Sequence, residues 1–232
     1  DPLFSQSMLN SLFFAVTVVP VRLLGATGLA LLLRRARPGV RWYRAIVCLP
    51  SIIPDVAYAL VWLWLLNPVY GPLNLILGTL GLPAPAWLVD YQWAKPGLAL
   101  MWSFQIAEGF ILLLAGLKSQ PQELMDAARV DGANAWQVLR WITLPLLAPW
   151  LVLLAVRDTI LSMQSTLTPA ILMTGGGPYY ATLFAPYLIY EEAFARLRFG
   201  QAHAIALILI VVTRALIGLV FGISGGWGYD DD

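Results

Sequence analysis

The sequence predicts an all-α fold, a polytopic bundle of membrane-spanning helices. Of the 232 residues, 59% are hydrophobic and 12% are charged, whereas a soluble domain runs about 45–50% apolar and about 25% charged. Mean hydropathy is +0.75. Several apolar runs reach the ~20 residues that a ~30 Å hydrocarbon core requires. These values exclude a soluble enzyme, a disordered chain and a nucleic-acid binder. Lys+Arg 14 against Asp+Glu 13 leaves no basic surplus for polyanions. The one cysteine, Cys48, has no intrachain disulfide partner, and the one histidine, His203, makes no metal site with it.

Five spans follow in order, at about residues 9–33, 45–66, 94–117, 146–173 and 202–221. No basic n-region precedes the first run, so it reads as a span and not as a signal peptide. Runs this long are helices, because strands of membrane barrels are ~10-residue alternating segments. Pro50 and Pro54 in the second span predict kinks that packed neighbours accommodate.

The connections orient the bundle. After the first span come Arg34, Arg35, Arg37, Arg41 and Arg44 with no acidic residue, a cytoplasmic signal. The connection at about 67–93 has no Lys or Arg and is rich in turn residues, so it faces out. The segment at about 118–145, with Lys118, Arg129 and Arg140, falls inside, and 174–201 falls outside. Parity puts the N-terminus outside and the C-terminus inside, although the tail Asp230, Asp231, Asp232 is acidic.

The cytoplasmic segment 121–145 is the most informative. Pro121 can open a helix, with Glu123 near its positive end. Ala127 and Ala128 make a slim, strongly helical surface, and Gly132 can end the helix in a left-handed conformation. Leu144-Pro145 is expected to restart the chain at the membrane. Spacing alone leaves two readings open. One is a helix that inserts into a partner's groove, and the other is a plain interfacial helix between spans.

The pattern Asp126-Ala127-Ala128, Gly132, Ile142, Leu144-Pro145 resembles the Glu-Ala-Ala loop of permease subunits from binding-protein-dependent ABC importers. One position departs: aspartate stands in place of the family's glutamate. Thr174-Gly175-Gly176-Gly177-Pro178 is similar to the signature of the carbohydrate-type permeases, such as the maltose and glycerol-phosphate importers. Tyr70-Gly71-Pro72-Leu73-Asn74 and Asp131-Gly132-Ala133 resemble the same group.

The resemblance implies a type I ABC importer permease fold over one transmembrane domain, residues 1–232. It implies that Glu123, Asp126, Ala127, Ala128, Asp131 and Gly132 dock on an ATPase. It also implies that Thr174 to Pro178 face a periplasmic or lipid-anchored solute-binding protein. The implied partners are two ATPase subunits and a second permease, as a heterodimer in a prokaryotic plasma membrane. Such permeases have six or more spans, so a further span is expected ahead of Asp1. The chain has no G-x-x-x-x-G-K-[ST], so ATP and Mg belong to a partner, with no cofactor, metal ligand or catalytic residue expected here.

Six ionisable residues fall near span centres: Arg22, Asp55, Glu108, Arg157, Asp158 and Arg214. Each costs about 2.5–3.5 kcal/mol at the bilayer centre, so lipid-facing positions are disfavoured. They form interior ion pairs or line a translocation path. Their balance of charge favours a neutral substrate over a phosphate. In the fourth span Asp158, Ser162 and Ser165 share one face, with Arg157 and Gln164 beside it. Gln105 and Glu108 add a second polar patch. Asp55, Gln105, Glu108, Arg157, Asp158 and Gln164 are therefore the candidate substrate path, and Trp62, Trp64 and Trp102 are candidate aromatic faces. The residues leave rivals open: an ion-driven carrier using Asp55, Glu108 or Asp158, an intramembrane enzyme, or a permease for amino acids or peptides.

Overall fold

The computed structural model describes residues 1–35 and 38–225. Arg37 of the basic connection and the acidic Asp230, Asp231 and Asp232 lie outside the described residues. Among the described residues the elements are all helical, without a strand.

Helix α1, Pro2–Leu33, opens where the Asp1 carboxylate accepts the Leu3 N–H at 3.0 Å. This cap starts the helix well ahead of the apolar run predicted at 9. One stripe of α1 is buried: Ser7, Ser11, Phe14, Val18, Arg22, Ala26 and Ala30. Their spacing of three and four is that of a single helix face. Val16, Leu24 and Leu32 point away from the bundle.

The second span is not one kinked helix. Helix α2, Val40–Cys48, runs through a tight turn to Ile52, and α3 spans Asp55–Leu65. The two segments meet at 102°. Pro54 is the cause, because its ring pushes the preceding residue out of the helical region. Ile53 is accordingly extended, at φ −74° and ψ 129°. Helix α4, Pro72–Thr79, sits within the turn-rich connection.

The third span is also broken. Helices α5, Tyr91–Ser103, and α6, Ala107–Lys118, are bent by 44°. No proline lies at the break. The N–H groups of Phe104 and Gln105 bond to Met101 and Trp102, three residues back, which tightens the chain out of its helix.

Helix α7 covers Gln122–Val130. The next helix does not restart at Leu144-Pro145 as expected. It begins at Ala135 and runs as α8 to Thr174, 40 residues in all. Asn134 and Gln137 form a reciprocal cap at its start. A wider turn at Leu139–Thr143 gives room for the Pro145 ring, which would otherwise strike the carbonyl four residues back. Helices α9, Ala185–Tyr190, and α10, Phe199–Ser224, complete the chain.

Helix α1 is central, packed against α5, α6, α8 and α9, while α10 lies on α8 and α9. Small residues set the close approaches, as expected where apolar burial gives no advantage over lipid. A Cβ on Gly109 would lie 2.9 Å from Leu154 Cδ2 and 3.4 Å from the Ala26 Cβ. One on Gly116 would lie 2.8 Å from the Trp150 ring. Three apolar clusters result, one of them around Met8, Ala15, Met163, Ala185 and Leu209, and the other two lie along the α1 stripe. Phe14, Val18, Tyr58, Trp62, Leu98, Met101, Trp102 and Phe184 form one. Ala26, Ala30, Phe110, Leu113, Leu147 and Leu154 form the other. Arg22 falls between them on the α1 stripe.

Candidate functional site

Arg22 is the centre of a polar layer between the two clusters of the α1 stripe. Its side chain is 5% exposed, and its Nε lies 3.5 Å from Asp158 Oδ2, whose side chain is 3% exposed. Its Nη2 donates to the Gln105 carbonyl at 2.6 Å, and its guanidinium stands 5.6 Å from the Trp102 ring centre. Arg157 Nη1 donates to Asp158 Oδ1 at 2.9 Å, and its Nη2 pairs with Glu108 Oε2. Both helix breaks meet this layer. The Tyr58 hydroxyl of α3 donates to the Met101 carbonyl of α5 at 2.9 Å, tying one broken span to the other.

A cavity of about 250 Å³ opens on the layer, lined by Arg22, Ser51, Asp55, Trp102, Gln105, Glu108, Arg157 and Ser165 among others. The structure thus brings Asp55, Glu108 and Arg157 together from three helices, with Gln105 from the break between α5 and α6. Two predicted members differ. Asp158 sits behind the lining, held by both arginines, and Gln164 is exposed away from it. Ser162 of the same predicted face is buried and donates to the Thr159 carbonyl at 2.9 Å. Arg214, expected in the interior, is exposed on α10. Trp102 lines the cavity, Trp62 is packed in the first cluster, and Trp64 is exposed. Ser51 was not legible as a lining residue, because it reaches the cavity only through the sharp turn at Pro54.

Helix α7 ends as its sequence predicts. Gly132 has φ +86°, Ala133 N–H bonds to Ala128 O at 2.9 Å, and Gly132 N–H bonds to Arg129 O at 3.1 Å. This is a left-handed helix stop. Met125 is buried against the bundle, while Glu123, Asp126, Ala127, Asp131 and Gly132 are exposed and Ala128 is half-buried. Arg129 pairs with Asp126 at 2.8 Å. A cleft of about 320 Å³ lies beside the stop, lined by Asp131, Gly132, Gln137 and Trp141 among others.

At the other end, residues 174–185 form a tied loop. Thr174 and Thr182 hydroxyls meet at 2.6 Å, and Thr182 donates to the Gly177 carbonyl at 2.7 Å. Asn10 Nδ2 on α1 donates to the carbonyls of Tyr180 and Leu183, each at 2.9 Å, and Ala185 N–H donates to Ser11 Oγ. Gly176 is buried at φ +81°, and a Cβ there would lie 2.8 Å from the Tyr187 ring. Burial, then the nearby Glu191 and Tyr190, push the Tyr187 hydroxyl up from its ordinary value. Thr174, Gly177 and Pro178 line a cleft of about 330 Å³ with Asn67, Pro68 and Val89, so two connections predicted for one side share one end. Gly175 is exposed, as are Tyr179 and Tyr180, which the sequence reading did not single out.

Residues 22–227 match the family described as binding-protein-dependent transport system inner membrane component. The chain belongs to that family. This permease is 33% identical over 223 residues to the sn-glycerol-3-phosphate transport system permease protein UgpA of Agrobacterium fabrum, covering 94% of the chain and 76% of that protein. It is 32% identical over 231 residues to the probable ABC transporter permease YesP of Bacillus subtilis, covering 98% of the chain and 74% of YesP. The diacetylchitobiose uptake permease NgcF of Streptomyces coelicolor is 29% identical, over 95% of the chain and 66% of NgcF. The fold matches a bacterial alginate ABC transporter solved with a pentasaccharide-bound periplasmic protein, at TM-score 0.84 and 23% identity over 97% of the chain and 79% of that one. It also matches the MetNI methionine transporter at TM-score 0.66 and 18% identity, over 97% and 96%.

The permease is therefore the membrane-embedded translocation subunit of an ATP-driven importer and has the type I importer fold. A transport subunit needs no catalytic residues of its own. The ion-driven carrier reading falls with family membership. Of its three candidate carboxylates, Glu108 and Asp158 pair with arginines, and Asp55 lines the cavity.

Proposed function

We propose that the chain contributes half of the translocation path for an uncharged, hydroxyl-rich solute of the carbohydrate class. The observation that carries this is the cavity at the two helix breaks. Non-helical backbone at membrane depth is tolerated where it lines a water-filled cavity, and broken helices mark binding sites in other transporters. The lining offers Arg22 and Arg157 as donors, Asp55 and Glu108 as acceptors, and the Trp102 face. Arg157 and Glu108 neutralise each other, so a phosphate would find no cationic surplus. Relatives named for glycerol phosphate and diacetylchitobiose share hydroxyl-rich cargo and differ in charge.

On this reading there are five spans: α1, α2 with α3, α5 with α6, α8, and α10. Helix α7 couples them to two separate ATPase subunits that hold ATP and Mg. Residues 174–178, with the cleft they line, face a solute-binding protein. A second, different permease completes the lumen, and the assembly sits as a multi-pass protein in a prokaryotic plasma membrane.

The test is affinity purification from native membranes followed by reconstitution into vesicles. A co-purifying ATPase, and uptake that requires ATP and ignores a collapsed ion gradient, are expected. Neutral sugars should compete, and phosphorylated analogues of the same sugars should not. Competition by the phosphorylated analogues alone would overturn the assignment of substrate charge.

A further inference from the structure

At the end of the bundle where α1, α6 and α7 meet lies a cavity of about 270 Å³. It is lined by Arg34, Arg35, Leu117, Lys118, Gln120, Gln122, Met125 and Arg129. Four of these are cations and none is an acid. Among the described residues, Arg129 alone of the four has a carboxylate partner, Asp126. That contact uses Nη1 and leaves its remaining N–H groups for the cavity. The set is built. Arg44 donates to the Leu33 carbonyl through Nε at 3.2 Å and Nη2 at 2.5 Å, which fixes the end of α1 beside Arg34. Gln120 Nε2 donates to Thr143 O at 3.0 Å, anchoring the α6–α7 turn to α8.

Cations at helix C-termini are ordinary, because they complement the macrodipole. That accounts for each residue at its own helix end. It does not account for three ends bringing four cations to line one space, where they repel one another even though Arg35, Lys118 and Arg129 reach solvent. An anion relieves that repulsion, and the donor set of guanidinium forks and an ammonium suits phosphate oxygens, while the Gln120 and Gln122 amides already donate to Thr143 O and Asp126 Oδ1. The level is that of a bilayer surface. The apolar run of α1 has just ended, and on the adjoining α2 Trp42 and Tyr43 are exposed beside Arg41, an interfacial pattern.

We propose that this cavity binds a phosphate group, either the headgroup of an anionic lipid or a free phosphate. Because Gln122, Met125 and Arg129 belong to α7, the bound group ties that helix to the ends of α1 and α6. Where α7 is the coupling element proposed above, the same site makes coupling depend on the anion. The binding itself does not rest on that reading.

The experiment uses the purified importer complex and reads binding rather than transport. Native mass spectrometry counts phosphatidylglycerol retained from nanodiscs of phosphatidylcholine with phosphatidylglycerol. Phosphorus NMR titration with inorganic phosphate reads the free anion on complex held in phosphatidylcholine alone. The test variant is Arg34→Gln/Lys118→Gln, and the control is Arg41→Gln, which leaves the cavity intact. Complex yield is checked for each, and Arg35→Gln, a single change at an exposed lining cation, serves as the test variant should the double variant assemble poorly. Loss of charge-assisted bonds predicts weakening of about tenfold or more in the double variant, a smaller weakening in Arg35→Gln, and little change in the control. Retained lipid that disappears in the double variant assigns the site to a headgroup. Phosphate binding without retained lipid, lost in the same variant, assigns it to a free anion. Neither ligand bound, or either bound equally by wild type and double variant, would overturn the proposal.

Discussion

Replacing Asp158 with asparagine removes one negative charge and almost no volume from the centre of the bundle. Asp158 stands between Arg22 Nε at 3.5 Å and Arg157 Nη1 at 2.9 Å. The two arginines do not suffer equally. Arg157 is 31% exposed and keeps Glu108. Arg22 is 5% exposed, its Nη1 already lacks a hydrogen-bond partner, and its only other polar contact is the Gln105 carbonyl. Breaking a buried pair by removing one partner costs about 3–5 kcal/mol, mostly for the stranded charge. The asparagine oxygen still accepts from Arg157, so the expected loss is near the lower bound, about 3 kcal/mol. Thermal unfolding of the complex in nanodiscs of fixed lipid reads it. Arg22→Met/Asp158→Leu removes both charges and so the stranded-charge cost, but it also removes the donor to the Gln105 carbonyl and should recover only part of that loss. An unchanged midpoint in Asp158→Asn, together with a raised half-saturating substrate concentration, would refute the reasoning. It would mean that Asp158 serves the substrate and not Arg22.

Arg157→Gln should leave the fold within about 1 kcal/mol, as expected for a partly exposed pair. It should still raise the half-saturating substrate concentration in vesicle uptake; unchanged uptake would remove Arg157 from the path. Gly132→Val places a branched side chain at φ +86° with nothing within 4 Å of its Cβ. Backbone strain of about 1–2 kcal/mol is then its main cost, and ATP hydrolysis should continue while uptake falls. Normal uptake would sink the coupling assignment. Gly176→Ala drives a Cβ to 2.8 Å from Tyr187 and should loosen the 174–185 loop to limited proteolysis. Gly175→Ala meets nothing within 4 Å and should be cut more slowly than Gly176→Ala. Equal cutting would show that the ring contact does not hold the loop.

The sequence exposes what depends on local order. The α7 stop at Gly132 is written in a single residue that tolerates a positive φ, and the structure has it. The apolar runs carry the helices, because length and hydropathy are additive along the chain. The breaks are less legible. Pro54 announces a perturbation, but whether a proline kinks or turns a span by 102° depends on what Ile53 and Asp55 can pack against. The break at 104–106 has no local marker at all. It persists because Arg22, 83 positions earlier, donates to the Gln105 carbonyl. Gln164 lies off the cavity at the two breaks for a related reason. Helical spacing gives the angle of a residue about its axis, but not which arc of that axis the neighbours cover. The basic cavity escaped the reading because it forms only where three helix ends converge.

The same contacts explain why the cavity lies where it does. A carbonyl released from a helix in low dielectric must find a donor or cost several kcal/mol. Arg22 supplies the donor at Gln105, and Tyr58 adds a second donor at Met101, whose carbonyl also accepts from the Phe104 N–H. Both donors are themselves buried, so each needs its own support: Asp158 for Arg22, and the aromatic packing of Trp62 for Tyr58. A break in one span thereby recruits a charge on a second and a counter-charge on a third. The polar layer thus satisfies the interrupted third span, and the Tyr58 hydroxyl ties the broken second span to it. It leaves Asp55, Glu108 and Arg157 at its open side, where water or a hydroxylated solute completes their hydrogen bonds. Motion of α3 or α6 about these breaks must rearrange the layer, because the breaks and the ion pairs share atoms. On the proposed path, a solute that engages this layer and a tilt of α6 would both act on Arg22, which holds Asp158 and the Gln105 carbonyl at once.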